Sequence, residues 1–150
     1  MNYIEWESAL DTGIPIIDSQ HRRIVDYINE LHDAISNSNR DQVGEILDQL
    51  VDYTMSHFAF EETLMEEAGY SFISAHKKVH QLFTAKVADF QHRFELGEDV
   101  SRKLLTTMRT WLINHIKRDD ADYSEIVRYS MDITPSKKSG FFKRLFEPIT

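Results

Sequence analysis

The stretch from His57 to His80, HFAFEETLMEEAGYSFISAHKKVH, constrains this chain more than any other. It holds two residue pairs spaced four apart, His57 with Glu61 and His76 with His80. On a helix, residues i and i+4 sit one turn apart on the same face, so each pair can offer two donor atoms to one point. Gly69 falls between the pairs, where a helix ends and the chain reverses. Folded back as a helical hairpin, the stretch aims three imidazoles and one carboxylate at a common centre. Those are the donors of a metal site that needs further ligands from elsewhere in the chain.

The flanking sequence is helical in pattern. Apolar stripes run through Ile17, His21, Ile24, Ile28, Leu31 and Ile35, then through Val43, Ile46, Leu50, Thr54, His57, Glu61 and Leu64. The SNSNRD run separates them, with Asn39 or Asp41 the expected cap of the second helix. A third stripe follows Ser71 (Ile73, His76, His80, Phe83, Val87, Phe90, Phe94) and closes at Gly97. The fourth, with Asp99 as expected cap, is Leu104, Met108, Trp111 and His115. Four amphipathic helices of about 20 residues with short connections predict an all-α, up-down-up-down four-helix bundle. A shorter C-terminal helix over about 121–131 follows. Residues 1–16, interrupted by Gly13 and Pro15, read as an extended N-terminal arm anchored by Tyr3, Trp6, Leu10 and Ile14.

A single histidine on an apolar stripe is more often a hydrogen-bonded core residue than a ligand. Here His21, His57, His76, His80 and His115 come from all four stripes, together with Glu61, a carboxylate placed where burial is costly without a partner. A metal centre explains them jointly. Asp120 lies five residues after His115, one more than a helical turn wants, so the fourth helix must loosen or end there for its carboxylate to swing inward. Spacing alone leaves Asp119 and Asp120 as alternatives; Asp119 and Asp122 otherwise read as solvated charges. His32 and His92 serve as internal controls. His32 lies eleven residues past His21, about 16 Å along a helix axis, and His92 points outward between Phe90 and Phe94.

Composition excludes several classes. The chain has 150 residues, a net charge of −8 and no cysteine. That is one domain with a core of its own and no thiolate site, and its acidity argues against nucleic acid. No apolar run approaches a membrane span, and the N-terminus lacks a signal pattern, so a cytoplasmic location is expected.

The motifs resemble the hemerythrins, specifically the bacterial single-domain kind. The resemblance rests on the His57–His80 stretch, on GIPIIDSQH ending at His21, and on WLINHIKRDD holding His115 and Asp120. It covers about residues 3–131. It implies a non-haem centre of two irons with a solvent-derived oxo or hydroxo bridge. His76, His80 and His115 would hold one iron and His21 and His57 the other, with Glu61 and Asp120 bridging; the family thus favours Asp120 over Asp119. It implies reversible dioxygen binding for storage, delivery or sensing, without catalysis. One iron then keeps an open position, under a tight apolar pocket for which Ile24, Phe58 and Trp111 are the candidates. Imidazole-rich ligation gives less anionic donation than the carboxylate-rich sets of oxygen-activating di-iron enzymes, which favours binding over oxidation. The alternative is a di-iron peroxidase, oxidase or nitric-oxide-handling enzyme on the same scaffold. A zinc-binding or iron-storage bundle fits less well, because HExxH is absent and the ligands outnumber zinc's usual four.

Residues 1–133 form the expected hemerythrin-like domain and 134–150 a basic amphipathic tail. The tail carries Lys137, Lys138, Lys143 and Arg144 against Glu147, a net of +3, with Phe141, Phe142, Leu145 and Phe146 beside them. It reads either as a solvated segment, or one lying on the chain's own acidic body, or as a weak docking element for an anionic membrane surface or a protein through 136–149. Membrane-peripheral placement would follow from the second reading. A monomer is favoured.

Overall fold

The computed structural model describes residues 2–133; the basic tail of the sequence reading lies outside them. Helix α1 spans Pro15–Ser36, α2 Arg40–Ala68, α3 Ile73–Glu95 and α4 Ser101–His115. A π-helical turn, Ile116–Asp120, then leads into α5, Ala121–Ser130. No strand occurs among the described residues. The helices form the expected bundle, with α1 packing mainly on α2 and α4.

Local chemistry explains the boundaries. Pro15, expected only to break structure, opens α1 at its first position, where a missing N–H costs nothing. Asn39 caps α2 by accepting the Gln42 N–H at 3.1 Å. Gly69 adopts φ 70°, and Tyr70 N–H returns to the Met65 carbonyl at 3.0 Å, reversing the chain between the two ligand pairs. Asp99 does not cap α4. The cap position belongs to Val100, which is buried and offers no side-chain acceptor. Packing of that valine, and not a hydrogen bond, sets the entry into the helix.

The arm is mostly extended, with a 3-10 turn at Ser8–Leu10. Its anchors differ in part from those expected. Leu10 and Ile14 are buried, but Tyr3 and Trp6 are only half-buried, and the innermost residue of the outer segment is Ile4. Asn29 of α1 accepts the Ile4 N–H at 2.8 Å and donates to the Ile4 carbonyl at 3.0 Å, pairing with the backbone as a strand would. Asp18 accepts from Thr12 N–H and Oγ1 and from Gly13 N–H, fastening the arm to the start of α1. Gly13 sits at φ 80° against the Arg128 side chain, so any larger residue there is strained.

The apolar interior falls into two clusters. The larger, with Ile24, Ile28, Leu47, Leu50, Phe83, Leu104 and Met108, fills the body of the bundle. The smaller, Ile14, Ile17, Met65, Tyr123 and Val127, closes the end that carries α5. A buried polar layer separates them.

Candidate metal centre

That layer is made of the six residues singled out by spacing together with Asp120, which the resemblance favoured over Asp119. His21 comes from α1, His57 and Glu61 from α2, His76 and His80 from α3, His115 from the last residue of α4, and Asp120 from the end of the π turn. All seven are buried, and Glu61 and Asp120 have no exposure at all. The π turn accounts for the five-residue separation of His115 and Asp120. An inserted residue widens the turn and places both side chains inward, as such turns often do at functional sites.

The donor atoms divide into two groups that share their carboxylates. Glu61, His76, His80, His115 and Asp120 form one, and His21, His57, Glu61 and Asp120 the other; within each, the ligand atoms lie within 4.8 Å of one another. Each carboxylate turns one oxygen to each side. Glu61 Oε1 lies 2.9 Å from His76 Nε2 and 3.1 Å from His80 Nε2, while its Oε2 lies 3.1 Å from His57 Nε2. Asp120 Oδ1 lies 3.0 Å from His115 Nε2 and 3.2 Å from His76 Nε2, while its Oδ2 lies 3.1 Å from His21 Nε2. On the imidazole side, His21 Nε2 faces His57 Nε2 at 3.1 Å, and His80 Nε2 faces His115 Nε2 at the same distance.

This arrangement fits a pair of cations better than it fits a hydrogen-bonded core. Neither Asp120 oxygen completes a hydrogen bond, although it is wholly buried and crowded by imidazoles. A carboxylate so placed is costly unless a cation meets it. The electrostatics agree. Burial opposes charge on His21 and His76, but the Asp120 and Glu61 carboxylates outweigh it and lift both imidazoles to about 9. His115 is lifted to about 10 against the same burial, chiefly by Asp120. His80 moves down, because burial there exceeds the pull of Glu61. For Glu61 and Asp120, burial is overcome by the surrounding imidazoles, which hold both well below the usual carboxylate range. Two buried carboxylates thus draw protons onto the imidazoles, and the same negative charge suits the cluster to hold metal ions.

A further layer of contacts fixes the imidazoles. His57 Nδ1 pairs with Gln20 Oε1 at 2.6 Å, and His115 Nδ1 with Asp119 Oδ2 at 2.8 Å. Tyr123 donates to Glu61 Oε2 at 3.0 Å. The second acid of the Asp119–Asp120 pair therefore faces the shared centre, and the first orients His115 from behind. The expectation of a solvated charge holds for Asp122, which is exposed and accepts a hydrogen bond from the Tyr70 hydroxyl, but not for Asp119, which is half-buried and engaged with His115. His92 is exposed; His32 stacks on Tyr3 at 4.7 Å, away from the site.

Beside His21 and His57 lies a small cavity of about 10 Å³, walled by Ile24, Ile28, Phe58, Met108, Trp111 and Leu112 among others. That is room for about one water-sized occupant. Phe58 stacks on His80 at 3.8 Å, and Trp111 stacks between Phe83 at 3.7 Å and His115 at 4.3 Å. Trp111 also lines an open groove of about 780 Å³ between α3 and α4. Trp111, with Phe83 and His115, lies between the cavity and the groove.

The sequence profile of the "Hemerythrin HHE cation binding domain" family matches residues 12–127. The chain belongs to the hemerythrin family. Among its relatives is a bacteriohemerythrin of Pseudomonas aeruginosa, 50% identical over 141 residues that cover 93% of this chain and 92% of that one. A bacteriohemerythrin of Stenotrophomonas maltophilia is 52% identical over 128 residues, covering 85% and 84% respectively. A crystal structure of wild-type hemerythrin superposes with a TM-score of 0.80 at 36% identity, covering 83% of this chain and 98% of that one. Gln20 and Asp119 are the contacts within this hemerythrin site that sequence reasoning missed. Gln20 neighbours His21 in the chain but serves His57, a cross-helix pairing that no spacing rule announces.

Proposed function

We propose that this chain binds dioxygen reversibly at two non-haem irons held by His21, His57, Glu61, His76, His80, His115 and Asp120. The observation that carries the reading is the shared pair of carboxylates, each with one oxygen toward the group that holds His76, His80 and His115 and the other toward the group that holds His21 and His57. Three imidazoles and two carboxylate oxygens would nearly fill the positions of a six-coordinate ion, whereas the side with two imidazoles would leave room for a small ligand. A small apolar cavity beneath Ile24, Phe58 and Trp111 lies against the two-imidazole side. Ferrous irons supply, when bound, the electrons by which dioxygen is held and released. The protein's own part is to orient the imidazoles through Gln20 and Asp119, to steady Glu61 through Tyr123, and to keep water out with the Phe83–Trp111–His115 stack. A carrier is favoured over an enzyme because the cavity, small and walled by apolar side chains, leaves no space for an organic substrate.

The test is anaerobic loading with ferrous iron followed by air and then vacuum. A carrier gains a charge-transfer absorption in air and loses it under vacuum over repeated cycles. Consumption of an added reductant, or a ferric end state after one exposure, would instead identify an oxidase or peroxidase.

Trp111 gives a second, local prediction. Trp111→Ala leaves iron content near normal, since the indole touches His115 but offers no ligand atom. It joins the cavity to the open groove, so water and anions enter, and the oxygenated form decays at least about tenfold faster to the ferric state. An unchanged decay rate would confine Trp111 to packing.

A further inference from the structure

The outer face of α5 is not built like an ordinary solvated surface. Asp122, Glu125, Ile126 and Tyr129 recur at i, i+3, i+4 and i+7, so they form one stripe along that helix. With Tyr70 and Phe72 from the turn between α2 and α3, the stripe lines an open groove of about 440 Å³. Phe72 is 64% exposed and Tyr129 87%, and no other Phe, Tyr or Trp is as open among the described residues. Large rings left open side by side in a groove mark a surface made to be covered. Neither acid meets a basic side chain among the described residues: Asp122 accepts from the Tyr70 hydroxyl, and Glu125 has no partner. The groove thus offers apolar area and uncompensated negative charge together.

The chain carries the complement of both features, and carries it close by. Ile133 is buried and its N–H bonds to the Arg128 carbonyl at 2.8 Å, which pins the end of the described residues beside the last turn of α5. Residues 134–150 follow, with a net charge of +3. Phe141, Phe142, Leu145 and Phe146 are spaced i, i+1, i+4 and i+5, a spacing that groups them on one side of a helical turn with Lys143 and Arg144 flanking them. The eight steps from Ile133 to Phe141 reach at most roughly 26–29 Å, against about 10 Å for the stripe from Asp122 to Tyr129. A tether that short supplies an effective concentration on the order of millimolar, so a weak contact is enough.

We infer that the groove between α5 and the α2–α3 turn is the seat of the chain's own C-terminal segment. The rings of Phe141, Phe142 and Phe146 cover Phe72 and Tyr129, while Lys143 and Arg144 meet Asp122 and Glu125. A membrane surface would satisfy the tail but leave the open stripe unexplained, whereas docking within the chain accounts for both. The seat does not depend on what the metal centre holds, yet it lies behind it. Tyr70 meets Tyr123 ring to ring at 6.3 Å, and Tyr123 donates to Glu61. A seated tail therefore shields the end of the bundle that carries those two tyrosines.

The chain has no cysteine, so an engineered pair reports contact without interference. In the full-length protein Ser139→Cys is combined either with Ser71→Cys, in the groove, or with Ile16→Cys, exposed at the same end of the bundle. Treated with a short bis-maleimide, the Ser71 pair should link within one molecule at least about fivefold faster than the Ile16 pair. Asp122→Lys with Glu125→Lys should slow the Ser71 link at least about threefold. Adding Lys143→Glu and Arg144→Glu, which reverses both sides, should recover most of the rate. Asp122 and Glu125 are exposed, so unfolding midpoints should stay near that of wild type. Equal linking at Ser71 and Ile16, or a Ser71 rate indifferent to charge reversal, would overturn the inference. Links formed only between molecules would give the groove to a second copy's tail and overturn it as well. Equal linking together with pelleting on anionic but not neutral vesicles would assign the tail to a membrane surface instead.

Discussion

Replacing His57 with alanine should abolish the proposed oxygen binding and empty the second proposed metal position. His57 is one of only two imidazoles on the cavity side, so its loss leaves His21 and the two shared carboxylates to hold that ion. Even removing a group that merely orients a ligand costs about 10–100-fold in metal affinity; removing the ligand itself exceeds that. Stability falls as well. The substitution leaves Gln20 Oε1 without its 2.6 Å partner and opens space beside Phe58, together about 2–5 kcal/mol on top of the lost metal. His92→Ala is the control. That residue is exposed near the end of α3, and its replacement changes stability by about 0.5 kcal/mol or less and iron content not at all. Iron analysis and thermal unfolding of the two variants side by side decide the matter, and equal behaviour would contradict the assignment of His57.

Metal removal has an effect of similar size, with a pH signature. The proposed ligands come from four helices and the π turn, so metal binding would be linked directly to folding. Free metal at a thousand times its Kd contributes about 4 kcal/mol, and chelation therefore lowers Tm by about 8–16 °C for a domain of this size. The metal-free stability and the contribution of the metal respond to pH with opposite sign. In the metal-free protein, His21 and His76 are lifted to about 9 and His115 to about 10. The folded state then holds protons that the unfolded chain has released, so this stabilisation is complete below about 6.5 and is lost as pH rises through 9–10. Metal must displace those same protons, and its contribution grows over the same interval. Unfolding curves from pH 6 to 9 should show the metal-free protein weakening while the gap to the loaded protein widens. Parallel curves would mean that the imidazoles do not carry the protons that metal replaces.

The parts of this architecture that repeat along a helix were legible in the sequence. The stripes through His21, His57, His76 and His115 give the bundle, and Gly69 between two i, i+4 pairs gives the hairpin that brings the pairs together. The π turn was legible only as a misfit, the five-residue step from His115 to Asp120 that a straight helix cannot accommodate. What stayed hidden depends on side-chain reach between helices. Gln20 on His57, the Asn29 clasp on Ile4, and Asp119 turned back onto His115 arise from packing geometry and leave no periodic trace. Val100 replaced Asp99 at the start of α4 for the same reason, since burial of a valine outweighed a local propensity for capping.

The central claim is that Glu61 and Asp120 are shared by two ions, and a metal titration tests it most directly. Metal-free protein titrated with ferrous iron without oxygen should saturate at two irons per chain. After oxidation the two ions should be magnetically coupled, as ions that share ligands are. Saturation at one iron per chain, or two irons that behave as independent paramagnets, would contradict it.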